Sequence, residues 1–269
     1  MKVLKRLRKR VSAHVSELDR RRRSTRNVAV VSYPKSGRTW LSFMLTSAGL
    51  KLLFVHAGAE NSKANRLEDI SDLPDKWRYW RIIFLFRDPR DTAVSCYFQA
   101  TKRLKPSQRF KGAIGEFIRD PRYGIAKIAG FNLLWLETLG AFRDYASVSY
   151  EDLHGDTSGE LDRLIRFATG RPADPQTLKQ AIAAGSFDNM RRVETSLGKK
   201  MDERLKLGGG SPDDPESLKT RKGKVGGWAE YFDDGDAAYM DRVLGDLDYW
   251  GKVDRLRASA TRLPAVEHR

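Results

Sequence analysis

The run Val28-Ala29-Val30-Val31-Ser32-Tyr33 is apolar on alternate and intervening positions alike and stops at Pro34, the pattern of a short strand buried on both faces. Trp40, Leu41, Met44 and Leu45 then recur at three-to-four spacing, which predicts a helix from Arg38 to Leu50. The order repeats downstream. Arg81-Ile82-Ile83-Phe84-Leu85-Phe86 predicts a strand, Arg87-Asp88 a polar turn, and Pro89 to Lys102 a helix that Asp88 caps and Pro89 starts. Leu52 to Val55 and Ser147 to Tyr150 read as further short strands, and helical patterns fill Ile114 to Phe142, Gly159 to Thr169 and Pro175 to Ala184. Strands alternating with helices predict an α/β fold in which helices flank a central parallel β-sheet. Residues 196–220, rich in Gly, Pro, Lys and Asp, are expected to form a mobile surface segment.

Composition narrows the class. Of 269 residues 40% are hydrophobic and 32% charged, enough for a sizeable core and incompatible with wholesale disorder. No apolar run approaches the roughly 20 residues that cross a bilayer, and the first twenty positions alternate basic and apolar without a signal-peptide core, so a cytoplasmic location is expected. The single cysteine, Cys96, excludes an internal disulfide and a multi-cysteine zinc site; no metal is expected. The net charge of +15 is uneven, because residues 1–26 hold eleven basic side chains against Glu17 and Asp19. The chain therefore reads as a basic arm, residues 1–26, and one domain, residues 27–269. The arm is read as a solvated, partly helical segment; the alternative is peripheral contact with an anionic membrane. The modest charge of the remaining body argues for an anionic ligand and against a dedicated nucleic-acid binder.

Three segments carry candidate chemistry. In Tyr33-Pro34-Lys35-Ser36-Gly37-Arg38-Thr39-Trp40 a strand meets a helix N-terminus, whose free N–H groups and dipole favour a phosphate. Gly37 permits close backbone approach, Lys35 and Arg38 add charge, and Ser36 and Thr39 add hydroxyls. The Walker order is absent, since Lys35 precedes the glycine, which weakens the alternative of a P-loop nucleotide kinase; the architecture is P-loop-like only. Arg87 leaves the next strand as a charged fork, and Ser95 lies two turns into the following helix. Arg221-Lys222-Gly223 joins two cations to a permissive glycine.

These segments resemble the sulfotransferases that use 3'-phosphoadenosine-5'-phosphosulfate (PAPS), in the cytosolic-type domain of a bacterial member. Tyr33 to Trp40 is similar to the family's 5'-phosphosulfate loop, with Arg38 in place of a threonine. Arg87 to Ser95 is similar to its 3'-phosphate segment, and Arg221 to Trp228 to its Arg-Lys-Gly-x-x-Gly-Asp-Trp signature, with Gly227 in place of the acid. The resemblance implies in-line sulfuryl transfer from PAPS to a hydroxyl acceptor, with PAP as product and no metal. It assigns Lys35 to the sulfate and bridging oxygen, and Trp40 to the adenine. Arg87 and Ser95 go to the 3'-phosphate, and Arg221, Lys222 and Gly223 close over a terminal phosphate. Tyr150, Phe187 and Met190 match adenine-flanking positions, and read equally well as core.

Such transfer needs a base, and histidine titrates nearest neutrality. His14 lies in the arm, His268 is the penultimate residue and His154 falls in a turn. His56 ends an apparent strand where this family places its catalytic histidine, so His56 is the expected base. The acceptor is left open among small alcohols, phenols, lipids and glycans. Trp77, Trp80, Tyr97, Phe98, Tyr123 and Trp135 are candidates for lining its pocket or for ordinary core. Residues 196–220 are a candidate lid over bound nucleotide. A non-catalytic module that binds anionic lipid or nucleic acid through the arm is the competing reading.

Overall fold

A computed structural model describes residues 27–56, 80–142, 144–198, 200–202 and 207–259. The basic arm, His14, Trp77 and His268 lie outside the described residues, as do five residues of the expected lid, 199 and 203–206.

Strand β1 (Val28–Ser32) is buried at every position because it is paired on both edges and covered on both faces. It runs parallel to β2 (Leu53–Val55) and to β3 (Arg81–Phe86), and β3 runs parallel to β4 (Tyr145–Ser149), giving the order β2-β1-β3-β4. Val30 stands opposite Phe54 on one side and Ile83 on the other. Since successive side chains leave a strand on opposite faces, the sheet feeds two cores. Ala29, Val31, Ile82, Phe84 and Phe86 pack beneath α4 (Ile125–Thr138), α9 (Asp234–Asp246) and α10 (Tyr249–Ser259). Val28, Val30, Ile83, Leu85 and Val148 pack against α1 (Arg38–Ser47), α6 (Thr157–Thr169) and α7 (Pro175–Ala184). Each fully buried branched or aromatic side chain contributes roughly 1.5–3 kcal/mol. The α/β fold with a helix-flanked parallel sheet is the one expected.

Several boundaries moved. Helix α2 (Pro89–Phe98) begins as expected, with the Asp88 carboxylate accepting from Arg90 N at 2.8 Å, but passes into a π-helical turn over Gln99–Arg103. The long pattern from Ile114 is broken into α3 (Ile114–Arg119) and α4, because Pro121 holds the preceding Asp120 extended (ψ 125°), and the tight turn that follows needs Gly124, where a Cβ would lie 2.3 Å from the Ile118 carbonyl oxygen. Tyr150 is not a strand residue; it opens α5 (Tyr150–Gly155), capped by Ser149. Helix α8 (Phe187–Leu197), α9 and α10 were not among the elements expected from the sequence. The supposed surface segment carries a short antiparallel pair, β5 (Met201–Asp202) and β6 (Leu207–Gly208), and buries Leu207, Ser217, Leu218 and Thr220.

The chain leaves β1 to reach β2 on one side and β3 on the other. The carboxyl ends of β1 and β3 therefore form a topological switch point, the place where open parallel sheets hold ligands.

Candidate functional site

A cavity of about 560 Å³ opens at that switch point. Its floor is the turn after β1. Lys35 and Gly37 both have positive φ, 72° and 93°, so the turn curls tightly and delivers the N-terminus of α1 to the cavity. Gly37 is required on two counts: its left-handed backbone, and the Tyr150 ring carbon 2.5 Å from where a Cβ would stand. Helices α2 and α5 to α9 each begin with an Asp or Ser side chain that accepts a first-turn N–H. Helix α1 has no such cap and no acid in its first turn, so its leading amides are left for a ligand.

Lys35, Arg38, Thr39 and Trp40 line the wall. Burial, reinforced by the charges of Arg103 and Lys219, holds the Lys35 ammonium down to about 7. Trp40 is pinned by its Nε1–H, which donates to the Gly185 carbonyl at 2.8 Å, and meets Tyr150 edge-on at 5.4 Å between ring centroids. Ser36 departs from expectation. It is 1% exposed, lies off the cavity wall, and its hydroxyl has no hydrogen-bond partner, because the left-handed turn at Lys35 tucks it beneath the loop.

The turn after β3 brings in Arg87. Its Nη1 donates to Ser95 Oγ at 3.5 Å and its Nη2 to the Lys224 carbonyl at 3.0 Å, while Asp91 lies 3.4 Å from Nη2. The guanidinium stands 4.2 Å above the Tyr150 ring, and its Nε is buried without a partner. Arg87 thus reaches Ser95, its expected partner in holding a phosphate, and Asp91 one helical turn on, at the same time. The third segment closes the cavity: Arg221 donates to the Tyr231 hydroxyl, Lys222 pairs with Glu230, and Gly223 (φ 64°) packs on Phe187. Asp91 accepts from the amides of Gly226 at 2.8 Å and Trp228 at 2.9 Å. Phe187, 41% exposed, and Met190, 4% exposed, both reach the cavity, Met190 from a small apolar cluster with Phe43 and Leu207.

His56 lines the same cavity at the end of β2. Its Nδ1 lies 2.7 Å from the Ser32 carbonyl oxygen. A carbonyl only accepts, so Nδ1 carries the proton and Nε2 keeps a lone pair. Burial and the nearby Arg38 charge lower its pKa to about 4, leaving the ring neutral near pH 7.

Sequence reasoning missed Arg103 and Lys219 and set His154 aside as a turn residue, yet all three line the cavity. His154 Nε2 donates to the Gly223 carbonyl at 3.2 Å from the last turn of α5. Lys219 was signalled only by its place two residues before Arg221. Of the aromatic candidates, Trp80, Tyr97, Phe98, Tyr123 and Trp135 stay off the cavity wall. They pack on other aromatic or core side chains: Trp135 on Phe84 at 5.8 Å, Tyr97 on Phe117 at 5.6 Å, and Tyr123 on Phe117 at 5.2 Å. Cys96 is inert. Burial pushes its thiol up to about 12, and it points at the Pro34 carbonyl, 3.6 Å away.

Residues 69–252 match the family described as Sulfotransferase domain. Human sulfotransferase 2B1 is 26% identical over 166 residues, which span 61% of this chain and 43% of that protein. Flavonol 3-sulfotransferase of Flaveria bidentis is 23% identical over 269 aligned residues, spanning 82% of this chain and 81% of the relative. The structure of mouse sulfotransferase SULT7A1 complexed with PAP superimposes with a TM-score of 0.63 at 20% identity, covering 88% of each chain.

Proposed function

The chain belongs to the sulfotransferase domain family, and we propose from that premise that it transfers a sulfuryl group from PAPS to a hydroxyl acceptor. The observation that carries this reading is the meeting of three cationic segments and His56 around one cavity although they lie far apart in sequence. The residues suit a nucleotide with charge at both ends: uncapped amides of α1 with Lys35 at one, and the Arg87 guanidinium, its Nε unpartnered, at the other.

When bound, PAPS supplies an activated sulfuryl group and leaves as PAP. Lys35 and the α1 amides hold the 5' end and offset charge developing on the bridging oxygen. Arg87, Ser95, Arg221, Lys222 and Gly223 hold the 3'-phosphate, and Trp40, Tyr150, Phe187 and Met190 flank the base. His56 Nε2 takes the acceptor's hydroxyl proton as oxygen attacks sulfur, and the Ser32 carbonyl holds the ring in the required tautomer. The negative charge of the nucleotide opposes that of Arg38 and raises the basicity of His56 on binding. Phenols head the acceptor list, given the flavonol enzyme among the relatives. Alcohols, lipids and glycans complete it. A bacterial source and a cytoplasmic location belong to the same proposal, with contact of residues 1–26 with anionic membrane kept as the alternative to a solvated arm.

The test is incubation with radiolabelled PAPS and a mixed panel of phenols, alcohols, lipids and glycans. Label is expected on a hydroxyl compound, and calorimetry is expected to show heat with PAP. No labelled acceptor and no heat would overturn the reading.

A further inference from the structure

Glu194, in α8, is 0% exposed. A carboxylate so buried is costly unless donors surround it, and here they come from one direction. Oε1 accepts from the Lys219 amide at 2.8 Å. Oε2 accepts from the Thr220 amide at 2.9 Å and the Thr220 hydroxyl at 2.6 Å. Arg103 Nη1 stands 3.7 Å from Oε1, and the same guanidinium donates to the carbonyls of Gly208, at 2.6 Å, and Ser217. Lys219 and Thr220 immediately precede Arg221-Lys222-Gly223. At the other end of this loop Asp91, 3% exposed, accepts from Gly226 and Trp228. Two buried carboxylates thus mount the loop at both ends, while its middle carries cations to a cavity that Lys35 and Arg103 also line.

We propose that Glu194 is a positioning residue for nucleotide binding, a latch that preorganises residues 219–223 by accepting three hydrogen bonds from the two positions ahead of the cationic triplet. The inference rests on the sulfotransferase reading and deepens it. A stretch of adjacent cations repels itself and resists ordering; a latch that orders it beforehand removes that cost from the binding step. Glutamine has the shape of glutamate, yet its amide nitrogen turns a donor toward Lys219 N–H or Thr220 N–H and leaves one of them unpaired.

The experiment compares the full chain with Glu194→Gln and Thr220→Val. It reads PAP affinity by calorimetry, amide hydrogen exchange at Lys219 and Thr220, and steady-state rates. Glu194→Gln is expected to weaken PAP about ten- to hundredfold and to speed exchange at both amides. PAPS KM should rise in step, with kcat and the acceptor KM unchanged within about threefold, a split that general loosening of the fold would not produce. Thr220→Val, which removes one donor and keeps the carboxylate, should give a smaller shift in the same direction; it serves if Glu194→Gln fails to fold. PAP affinity and amide exchange equal to wild type in the variants, or a fall in kcat at unchanged PAPS KM, overturns the latch. Absence of PAP binding by the wild type refutes the sulfotransferase reading instead, and the exchange rates still report on the latch.

Discussion

Raising the pH should switch off Lys35 well before an ordinary lysine would respond. Burial and the charges of Arg103 and Lys219 bring its pKa from 10.5 to about 7, and the proposed role requires the charged form. A lysine with a lowered pKa holds its proton below that value and loses it as pH rises through it. In the free enzyme kcat/KM for PAPS should therefore be flat from about pH 5 to 7 and fall about tenfold for each unit above it, reaching about a hundredfold loss at pH 9. Bound nucleotide favours the charged lysine, so the basic limb of kcat should lie at higher pH than that of kcat/KM. Lys35→Arg keeps its charge throughout and should lower turnover but abolish the limb. The acid limb belongs to His56 and should fall near its value of about 4. The same shift bears on stability: between about 7 and 10.5 the unfolded lysine binds a proton that the folded one does not, so this group makes folding more favourable as pH rises. The assay is initial rates at limiting PAPS and saturating acceptor from pH 3.5 to 9.5 at constant ionic strength. A wild-type profile flat from pH 6 to 9, or a basic limb that survives Lys35→Arg, would refute the reasoning.

His56→Ala should cost about 10² to 10⁴ in turnover and leave PAP affinity within about twofold; undiminished transfer in this variant removes His56 from the role of base. Arg87→Ala should abolish discrimination between PAP and AMP, because Arg87 with Ser95 is proposed to read the 3'-phosphate; calorimetry with both ligands decides it. Gly37→Ala should lose about 1–2 kcal/mol to its left-handed backbone alone, more through the clash with Tyr150, and most of its PAP affinity. Gly49→Ala, at φ 82° with open space around its Cβ position, is the control: chemical denaturation should show the backbone cost with PAP binding intact.

Much of the site was readable because its parts are local. The Lys35 to Trp40 turn, the Asp88 cap that starts α2 beside Arg87, and a histidine at the end of an apolar strand each depend on a few consecutive residues; Ser36 and Asp88 apart, their residues line the cavity. Periodicity could not separate a core aromatic from a pocket aromatic, since both lie on an apolar helix face; Trp135 went to the core because Phe84 and Phe142 were there to receive it. Helix α8 was not among the expected elements, although Phe187, Met190, Val193 and Leu197 recur at three-to-four spacing and Ser186 caps it; its short length and equal numbers of charged and apolar residues leave that stripe narrow.

Short apolar runs, capping residues and loop composition were sufficient by themselves to specify a parallel sheet with cationic turns at its strand ends, since those preferences act between neighbours along the chain. Which charges meet was decided only by the tertiary structure. Glu194 reaches Thr220 and Arg103, and Asp91 reaches Trp228, across separations that no local pattern encodes. The energy of such a group depends on its distance from a partner and on the water removed around both, and folding sets those two quantities together.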